Sequence, residues 1–339
     1  MAVTIRDVAR EAGVSQATAA RALAGYGYVS GRARERVQAA AERLGYRPHH
    51  VARALASGST MTVGLVVGDI ENPFFAGAAR GLADVLAEQD YTLLLANSDE
   101  DLEEERLAVE ALLARHVDGL VVVPTSPESR THLAPLVGAG TPLALFDRPV
   151  RGLAVDMVLV DNAAGAARAV RHLLDFGHRR IGMVSDSPEI ATSAERIAGY
   201  RRALRTAGVT IDRALLRVGG PTPDDGYAAA RSLLTAGAPP SALFTANNFM
   251  TLGAVRAIRE LGLRIPDDVS LVGFDDLDWT TIVDPPLTVV AQPVNELGRT
   301  VGELLLARLG GAAGEPRRIR LRTQLVVRAS CAHVNGGPP

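Results

Sequence analysis

The sequence contains no lysine, and all 36 of its basic residues are arginine. This absence excludes a Schiff-base lysine and a P-loop lysine, and with them most pyridoxal-phosphate enzymes and P-loop nucleoside triphosphatases. A single cysteine, Cys331, excludes an intrachain disulfide and any multi-cysteine zinc or iron–sulfur site. We therefore expect no cofactor, no structural metal and no enzymatic activity.

Long apolar segments are also missing. No apolar run approaches the roughly 18 residues that a membrane span needs, and the N-terminus shows no basic stretch followed by an apolar secretory segment. The chain has 339 residues, of which 47% are hydrophobic and 22% charged, a composition typical of a globular protein with two or three units. We expect a cytoplasmic protein.

The charge is divided unequally along the chain. Residues 1–60 carry nine arginines and four acidic residues, a net charge of +5. Because the whole chain has a net charge of −2, the remaining residues carry −7. A basic head on an acidic body indicates that only the head meets a polyanion.

Cap and turn residues divide the head into short helices. Thr4 with Asp7 resembles a capping box, and Ser15 and Ser30 stand where N-caps of later helices are expected. The helices are expected at about Ile5–Ala12, Gln16–Leu23, Gly31–Leu44 and His49–Ala56.

The first two helices and the glycine-containing turn between them form a helix-turn-helix pattern, which can bind the major groove of DNA. The second helix would present Gln16, Ala17, Thr18 and Arg21 to the bases, and glutamine, alanine and arginine suit adenine, the thymine methyl and guanine. An ordinary three-helix cap is the alternative. The positive charge of the head argues against that alternative, because phosphate neutralisation supplies much of DNA affinity.

From Met61 onward, apolar runs alternate with helical segments, which indicates doubly wound parallel sheets covered on both faces. Ten strand candidates are too many for one typical sheet, so we expect two α/β lobes. The candidates are Val63–Val67, Thr92–Ala96, Gly119–Val123, Leu143–Phe146, Met157–Val160, Ile181–Ser185, Leu215–Val218, Ala242–Thr245, Ser270–Phe274 and Thr288–Ala291, with a final strand pair around Arg317–Val327.

These patterns predict a domain division. It comprises a head at 1–47, a hinge helix and linker at 48–60, a core at 61–331 and a disordered tail at 332–339. Within the core, an N-lobe would take about 61–160 and 292–321, and a C-lobe about 161–291 and 322–331.

The head closely resembles that of the LacI/GalR family of transcriptional regulators, without a gap over more than 50 residues. The resemblance is carried by Thr4-Ile-Arg-Asp-Val-Ala-Arg-Glu-Ala-Gly-Val-Ser15, Thr18, Arg21, Val29-Ser30, Arg34, Val37, Ala41, Leu44-Gly-Tyr46, Pro48, Ala52 and Leu55. It implies base contacts from Gln16, Ala17 and Arg21, phosphate contacts from Thr4, Ser15 and Thr18, and a hinge helix with Val51, Ala52 and Leu55 in the minor groove. Leu55 would wedge between base pairs; a plain contact between paired hinge helices is its alternative role.

The head departs from the family pattern at three positions. Ala20 and Ala24 stand where serine and asparagine are usual, and His49 replaces a common hinge asparagine. These changes predict a modest operator affinity.

The resemblance continues through the core to about Arg328 and implies a periplasmic-binding-protein-like architecture with a small molecule between the lobes. It rests on Asp69-Ile-Glu-Asn72-Pro-Phe74-Phe75, Asp118-Gly-Leu-Val-Val, Arg196-Ile-Ala-Gly-Tyr200, Asn247, Met250, Gly253, Val272-Gly-Phe-Asp275-Asp276 and Pro285 to Pro293. The carboxyl ends of parallel strands are independently the expected ligand site of open α/β sheets.

The candidate effector residues suit a polyhydroxylated ligand. Carboxylates accept hydrogen bonds from hydroxyls, amides donate and accept, arginine donates, and an aromatic face stacks on a sugar ring. The candidates are Asn72, Phe74, Phe75, Asp147, Arg196, Asn247 and Asp275, with Phe249, Tyr227 and Trp279 as further aromatic candidates. Taken singly, a strand-end aspartate often caps a helix and a buried phenylalanine is usually core. Ile190 stands where the purine-responsive branch of the family has arginine, which favours a sugar over a purine.

Asp275, Asp276 and Asp278 could suggest a metal site, but carboxylates so close together in a turn more often cap backbone and meet solvent. The seven histidines show no metal-ligand spacing.

Three functions compete on this evidence. A solute receptor with the same core would need export, and a Rossmann-type enzyme would need a GxGxxG or GxSxG turn, which we do not find. A ligand-controlled DNA-binding regulator, most simply a repressor, fits best. The resemblance implies a homodimer on a pseudopalindromic operator. Some members of the family form tetramers through a C-terminal helix with heptad repeats, and because we find no such heptads here, we expect a dimer.

Overall fold

The computed structural model describes residues 3–24, 27–46 and 59–334. The described part of the head folds as α1 (Ile5–Ala12), α2 (Gln16–Ala24) and α3 (Gly31–Leu44), as the sequence predicts. Small side chains from all three helices, including Val8, Ala19 and Val37, are buried together. Because these side chains are small, the backbones of the three helices can approach each other closely.

The three predicted N-cap residues of the head each stand directly before a helix, but their side chains make different contacts. Thr4 donates from its backbone N and Oγ1 to Asp7 Oδ2 (2.9 and 2.7 Å), which completes the capping box. Ser15 Oγ accepts from the backbone N of Thr18 at 3.1 Å. Ser30 stands at the N-cap of α3 as expected, although its side chain makes no capping hydrogen bond.

The predicted hinge falls largely outside the described residues. His49, Val51, Ala52 and Leu55 all lie there, as does the side chain of Ala24. The roles inferred for these residues therefore stay predictions.

Two six-stranded sheets form the core. In the first sheet the spatial order is β2-β1-β3-β4-β5-β11, and all neighbours are parallel. Its strands are β1 (Thr62–Val67), β2 (Thr92–Asn97), β3 (Gly119–Val122), β4 (Leu143–Phe146), β5 (Asp156–Val160) and β11 (Arg318–Leu321).

The second sheet repeats this plan, with the order β7-β6-β8-β9-β10-β12. Only its last neighbour differs, because β12 runs antiparallel to β10. Its strands are β6 (Ile181–Ser185), β7 (Leu216–Val218), β8 (Ala242–Thr245), β9 (Ser270–Phe274), β10 (Thr288–Ala291) and β12 (Gln324–Val326).

Helices cover both faces of each sheet. The first sheet and its helices form the N-lobe, whose helices are α4 (Pro73–Ala87), α5 (Leu102–Leu113), α6 (Arg130–Gly138) and α12 (Val294–Leu309). The second sheet and its helices form the C-lobe, whose helices are α7 (Asn162–Asp175), α8 (Ala191–Thr206), α9 (Pro223–Leu234), α10 (Asn248–Glu260) and α11 (Asp278–Ile282). Central strands such as β3 and β9 are buried along their whole length, as strands covered on two faces must be. Within the described ranges, no helix is both long and apolar enough to span a bilayer.

The last part of the chain differs from the sequence expectation in two respects. The strands β11 and β12 do not pair with each other; they join different sheets, in agreement with the predicted lobe boundary between residues 321 and 322. The backbone N and Oγ1 of the intervening Thr323 both donate to Asp161 Oδ1 at 2.7 Å. The start of the tail is also ordered, since the backbone N of Val334 donates to the Phe176 carbonyl at 3.1 Å. Ala332 N donates to Ser270 Oγ at 3.0 Å and the His333 ring stacks on Phe176, so contacts with the C-lobe hold residues for which composition alone predicted disorder. Residues 335–339 lie outside the described part.

Candidate functional site

A cleft lies where the carboxyl ends of strands from the two sheets face each other, the location expected for ligands of open α/β sheets. It is lined from both lobes by Asp69, Asn72, Phe74, Phe75, Glu100, Asp147, Arg148, Asp186, Ile190, Thr192, Arg196, Pro221, Asn247, Phe249, Asp275 and Gln292. All seven effector candidates from the sequence are in this set.

Asp147 and Asp275 occupy equivalent positions in the two lobes. Each directly follows the fourth strand of its sheet, β4 or β9, and has a left-handed backbone, with φ of 66° and 76°. Each backbone N donates at 2.9 Å to the neighbouring strand, to Val158 O for Asp147 and to Val290 O for Asp275. The fold thus aims both carboxylates into the cleft, and each residue is only 5% exposed.

The carboxylate of Asp275 is fully used by the protein. Its Oδ2 accepts from Asn248 N (3.1 Å) and Asn248 Nδ2 (3.2 Å), and its Oδ1 accepts from Gln292 Nε2 at 2.5 Å. Asn248 Nδ2 also donates to Asn72 Oδ1 at 2.8 Å, which connects the C-lobe to the N-lobe. Asn248 therefore bridges the cleft.

The carboxylate of Asp147 is only partly used. Its Oδ2 lies 3.5 Å from Arg148 Nε, and its buried Oδ1 has no hydrogen-bond partner among the described residues. Burial raises the pKa of Asp147, against the opposing effect of the Arg148 and Arg196 charges. This oxygen is therefore an acceptor without a donor among the described residues, on a side chain that lines the cleft.

Arg148 is held by Glu100 from the loop before α5. Its Nη1 and Nη2 donate to the two carboxylate oxygens of Glu100 at 2.5 and 2.7 Å, a bidentate pair. Arg148 Nε has no hydrogen-bond partner among the residues that the structure describes. The sequence analysis missed both residues, because 48 positions separate them in the chain.

Arg196 is fixed in the C-lobe wall of the cleft. Its Nε donates to Asn162 Oδ1 (2.8 Å), its Nη1 donates to the Ala246 carbonyl (2.7 Å), and its guanidinium lies 3.9 Å from the centre of the Phe274 ring. These contacts orient the guanidinium before any ligand arrives.

Asn247 is positioned by its own helix. Its Oδ1 caps α10 by accepting from Met250 N at 2.8 Å, and its Nδ2 donates to Asp186 Oδ2 at 3.0 Å. Asp186 also accepts from the hydroxyl of Ser193. Asp186 is a second lining carboxylate that the sequence analysis did not identify, although it directly follows β6.

The aromatic part of the cleft is the pair Phe74–Phe75, whose ring centres are 5.2 Å apart in an edge-to-face arrangement. Asn72 Oδ1 accepts from Phe74 N at 3.1 Å, so the residue that bridges the lobes also caps the helix carrying both rings. Phe249 lines the cleft as well.

The expectation for the other two aromatic candidates is wrong. Tyr227 and Trp279 pack against the apolar core of the C-lobe and do not line the cleft. The Tyr227 ring is instead covered by Arg256, with 5.3 Å between the guanidinium carbon and the ring centre.

The acidic turn after β9 has divided roles. Both carboxylate oxygens of Asp276 accept from Arg328 Nη2 at 2.8 Å, and Oδ1 also accepts from Thr280 Oγ1 at 3.0 Å. Asp278 begins α11. Asp275 alone of these three lines the cleft.

In the head, Gln16 and Ala17 are exposed at the start of α2, where the sequence places base contacts. Arg21 is half-buried, and its Nε donates to the Ala17 carbonyl at 3.2 Å. Ser15 and Thr18 share a hydroxyl hydrogen bond of 2.8 Å, while Thr4 is occupied by its capping box. Ser15, Gln16, Ala17 and Thr18 thus lie together at the start of α2, and Arg21 follows further along the same helix.

A helix-turn-helix head on a two-lobed core with a ligand cleft defines a class, the ligand-responsive DNA-binding regulators. Comparisons with known proteins narrow this class. A family model described as bacterial regulatory proteins of the lacI family matches residues 4–49, and one described as a periplasmic binding protein-like domain matches residues 170–331. The HTH-type transcriptional regulator CelR of Thermobifida fusca is 37% identical over 334 residues, covering 96% of this chain and 98% of CelR.

Two solved structures extend the similarity to three dimensions. A CelR–cellobiose complex has a TM-score of 0.74 and 35% identity, covering 97% of this chain and 99% of that one. The lac repressor dimer bound to operator and the anti-inducer ONPF has a TM-score of 0.88 and 27% identity, covering 98% and 100%. The chain belongs to the LacI family of bacterial regulatory proteins, so the fold class and the family resemblance inferred from the sequence are confirmed. It is a transcriptional regulator that binds DNA and a small-molecule effector.

Proposed function

We propose that this regulator is a repressor that binds a pseudopalindromic operator as a homodimer and changes its operator affinity when a sugar occupies the cleft. CelR, a close relative over nearly its whole length, has been solved with cellobiose, and the lac repressor has been solved as a dimer on its operator. Because an operator is part of the bacterial genome, we propose that the protein acts in the cytoplasm. The relatives are regulators, and we assign the chain no catalytic step.

The observation that carries the sugar assignment is the set of buried polar atoms left without partners in the cleft. Asp147 Oδ1 and Gln292 Oε1 are acceptors, and Arg148 Nε is a donor. Unpaired buried polar groups are costly, so a ligand that satisfies them gains affinity. A sugar hydroxyl both donates and accepts, and the rings of Phe74 and Phe75 offer apolar surface to the faces of a pyranose.

In the head, we assign base contacts to Gln16, Ala17 and Arg21 and phosphate contacts to Thr4, Ser15 and Thr18. The exposure of Gln16 and Ala17 supports this assignment. We assign Val51, Ala52 and Leu55 to the minor groove, with Leu55 as the wedge between base pairs. The effector works through its different affinities for the two states of the core.

The experiment has two stages. Genomic fragments are first selected with the purified protein at near-physiological salt, where specific binding separates from non-specific capture. The enriched operator is then titrated by fluorescence anisotropy in the presence of mono- and disaccharides, nucleosides and purines. A sugar that shifts operator affinity supports the proposal, whereas a shift by purines or nucleosides alone overturns the sugar assignment.

The head assignment is tested on the same operator. Arg21→Ala should weaken specific binding by about 10-fold or more, because a base contact of this type is worth about 1–3 kcal/mol. Arg115→Ala removes the same charge from an exposed site on the core and serves as the control. Equal operator binding by both variants would remove Arg21 from the interface.

A further inference from the structure

The cleft contains more carboxylates than guanidinium groups, and one of its arginines, Arg148, is already paired with a carboxylate. Its described lining residues include five carboxylates, those of Asp69, Glu100, Asp147, Asp186 and Asp275, but two guanidinium groups, those of Arg148 and Arg196. A site lined mainly by one sign of charge repels ligands of the same sign. The buried, unpartnered Asp147 Oδ1 and Arg148 Nε, on residues that are 5% and 7% exposed, show that this acidic surface is also built to meet a ligand.

Both arginines are already engaged by groups of the protein, and the charge of Arg148 is neutralised by a carboxylate. Arginine binds phosphate and carboxylate best through two parallel N–H donors. In Arg148 the edge formed by Nη1 and Nη2 is occupied by the carboxylate of Glu100, and Nε has no partner among the described residues. In Arg196, Nε and Nη1 donate to Asn162 and the Ala246 carbonyl, so Nη2 is its remaining nitrogen.

The position of Glu100 is set by its backbone and by a glycine. Its backbone N donates to the Gly68 carbonyl at 2.9 Å, and its backbone is left-handed, with φ of 56°. A Cβ on Gly68 would lie 2.2 Å from Glu100 Oε1, so only glycine leaves room for this carboxylate beside Arg148. The pairing is therefore built in by two loops and does not depend on a ligand.

We propose that Glu100, by occupying Arg148, makes the cleft selective for uncharged sugars over phosphorylated or carboxylated ones. A neutral sugar hydroxyl can donate to Asp147 Oδ1 or Gln292 Oε1 and can accept from Arg148 Nε. A phosphate or carboxylate group has no proton for the two acceptors at neutral pH and meets the surrounding carboxylates. This inference rests on the proposed function, since it narrows the class of effector bound at the same site.

The test compares matched sugar pairs by isothermal titration calorimetry on the full-length protein. The pairs are glucose with glucose 6-phosphate, ribose with ribose 5-phosphate, and cellobiose with cellobiose 6-phosphate. For the pair whose neutral member binds, we expect the phosphorylated member to bind about 100-fold more weakly or not at all. Glu100→Gln should reduce this ratio by about 10-fold or more, because it removes one negative charge and releases the Arg148 fork.

Glu110→Gln is the matched control. It makes the same change of charge in an exposed ion pair with Arg106, away from the cleft, and should leave the ratio unchanged. A melting curve checks each variant. If Glu100→Gln fails that check, Gly68→Ala replaces it under the same criterion, because the added methyl displaces Glu100 from Arg148 without changing any charge.

The outcomes separate the two proposals. Equal or tighter binding of a phosphorylated sugar by the wild type, or an unchanged ratio in the Glu100 variant, overturns the selectivity and leaves the sugar-responsive regulator standing. Failure of the wild type to bind any sugar, neutral or charged, overturns the sugar assignment and this inference with it.

Discussion

The N-lobe and the C-lobe each place an aspartate after their fourth strand, yet the two carboxylates have opposite surroundings. Asp275 in the C-lobe receives three hydrogen bonds from Asn248 and Gln292. Asp147 in the N-lobe keeps one buried oxygen without a partner, beside an arginine that is paired elsewhere. The shared strand order fixes where each aspartate stands, whereas residues distant in sequence decide what it does.

This difference separates two roles within one site. The Asp275 network reaches Asn72 across the cleft, so it holds the walls of the cleft in place. Asp147 completes its hydrogen bonding only when a ligand arrives. Substitutions at the two positions should therefore affect different measurements.

The largest effect is expected for Asp275→Ala. The change leaves the donors of Asn248 and Gln292 without their acceptor in a buried site, which costs about 3 kcal/mol. We expect a clearly lower melting temperature together with loss of the effector response. A melting curve that matches the wild type would show that the Asp275 network is not structural and would break the comparison.

Asp147→Asn should give the complementary result. Effector affinity should fall by about 10- to 100-fold, because a hydrogen bond to a charged group is worth about 1.5–3 kcal/mol. Thermal stability should be unchanged or slightly higher, since burial already disfavours the charged form and raises the pKa of this carboxyl.

Isothermal titration calorimetry with the effector found in the screen measures the first quantity, and a melting curve measures the second. Operator binding without effector is the control. A large loss of stability with unchanged effector affinity would exchange the roles that we give to the two aspartates.

The fold was largely predictable because the sheets are buried. Each of the ten strand candidates lies within one residue of the observed strand, since a strand covered on both faces must be apolar along its length. The helix α12 was not predicted. Its interior glycines lower helix propensity, and they are there because the helix crosses α4 closely: a Cβ on Gly298 would lie 2.0 Å from the Ala78 carbonyl oxygen.

Position at the end of a strand predicted only part of the site, because Asp186, which directly follows β6, was missed. Asp147 and Asp275 were found because they directly follow strands, and the family resemblance supplied Arg196. The Glu100–Arg148 pair was not found, because a side-chain contact across 48 residues leaves no mark in local sequence. The same limit explains the wrong expectation for Trp279, an aromatic residue that packs into the C-lobe core.

A smaller effect is expected from the bond that joins the lobes. Asn72→Ala and Asn248→Ala remove the two ends of one cross-lobe hydrogen bond of 2.8 Å, worth about 1 kcal/mol. In a double-mutant cycle on the free energy of unfolding, the two changes should therefore cost less together than the sum of the single changes. The cycle is needed because Asn72 also caps α4 and Asn248 also binds Asp275. Strict additivity would mean that the lobes are not coupled through these amides.

The smallest effect is expected from pH, and it should be confined to the C-lobe. Burial lowers the pKa of His178, whose Nδ1 and Nε2 lie 2.9 and 3.0 Å from the hydroxyls of Ser241 and Ser270, and burial likewise lowers the pKa of His172. Because the unfolded chain binds protons at these histidines more readily, the contribution of the two neutral histidines to stability is complete above the ordinary histidine pKa of about 6.5. It is lost as the pH falls through the lower pKa values of the folded state.

Hydrogen exchange at pH 7 and pH 5 should therefore show β8 and β9 losing protection relative to β3 and β4. His178→Gln keeps a polar side chain between the two serines but does not titrate, so it should reduce that difference; an equal loss of protection in both lobes would locate the acid sensitivity elsewhere.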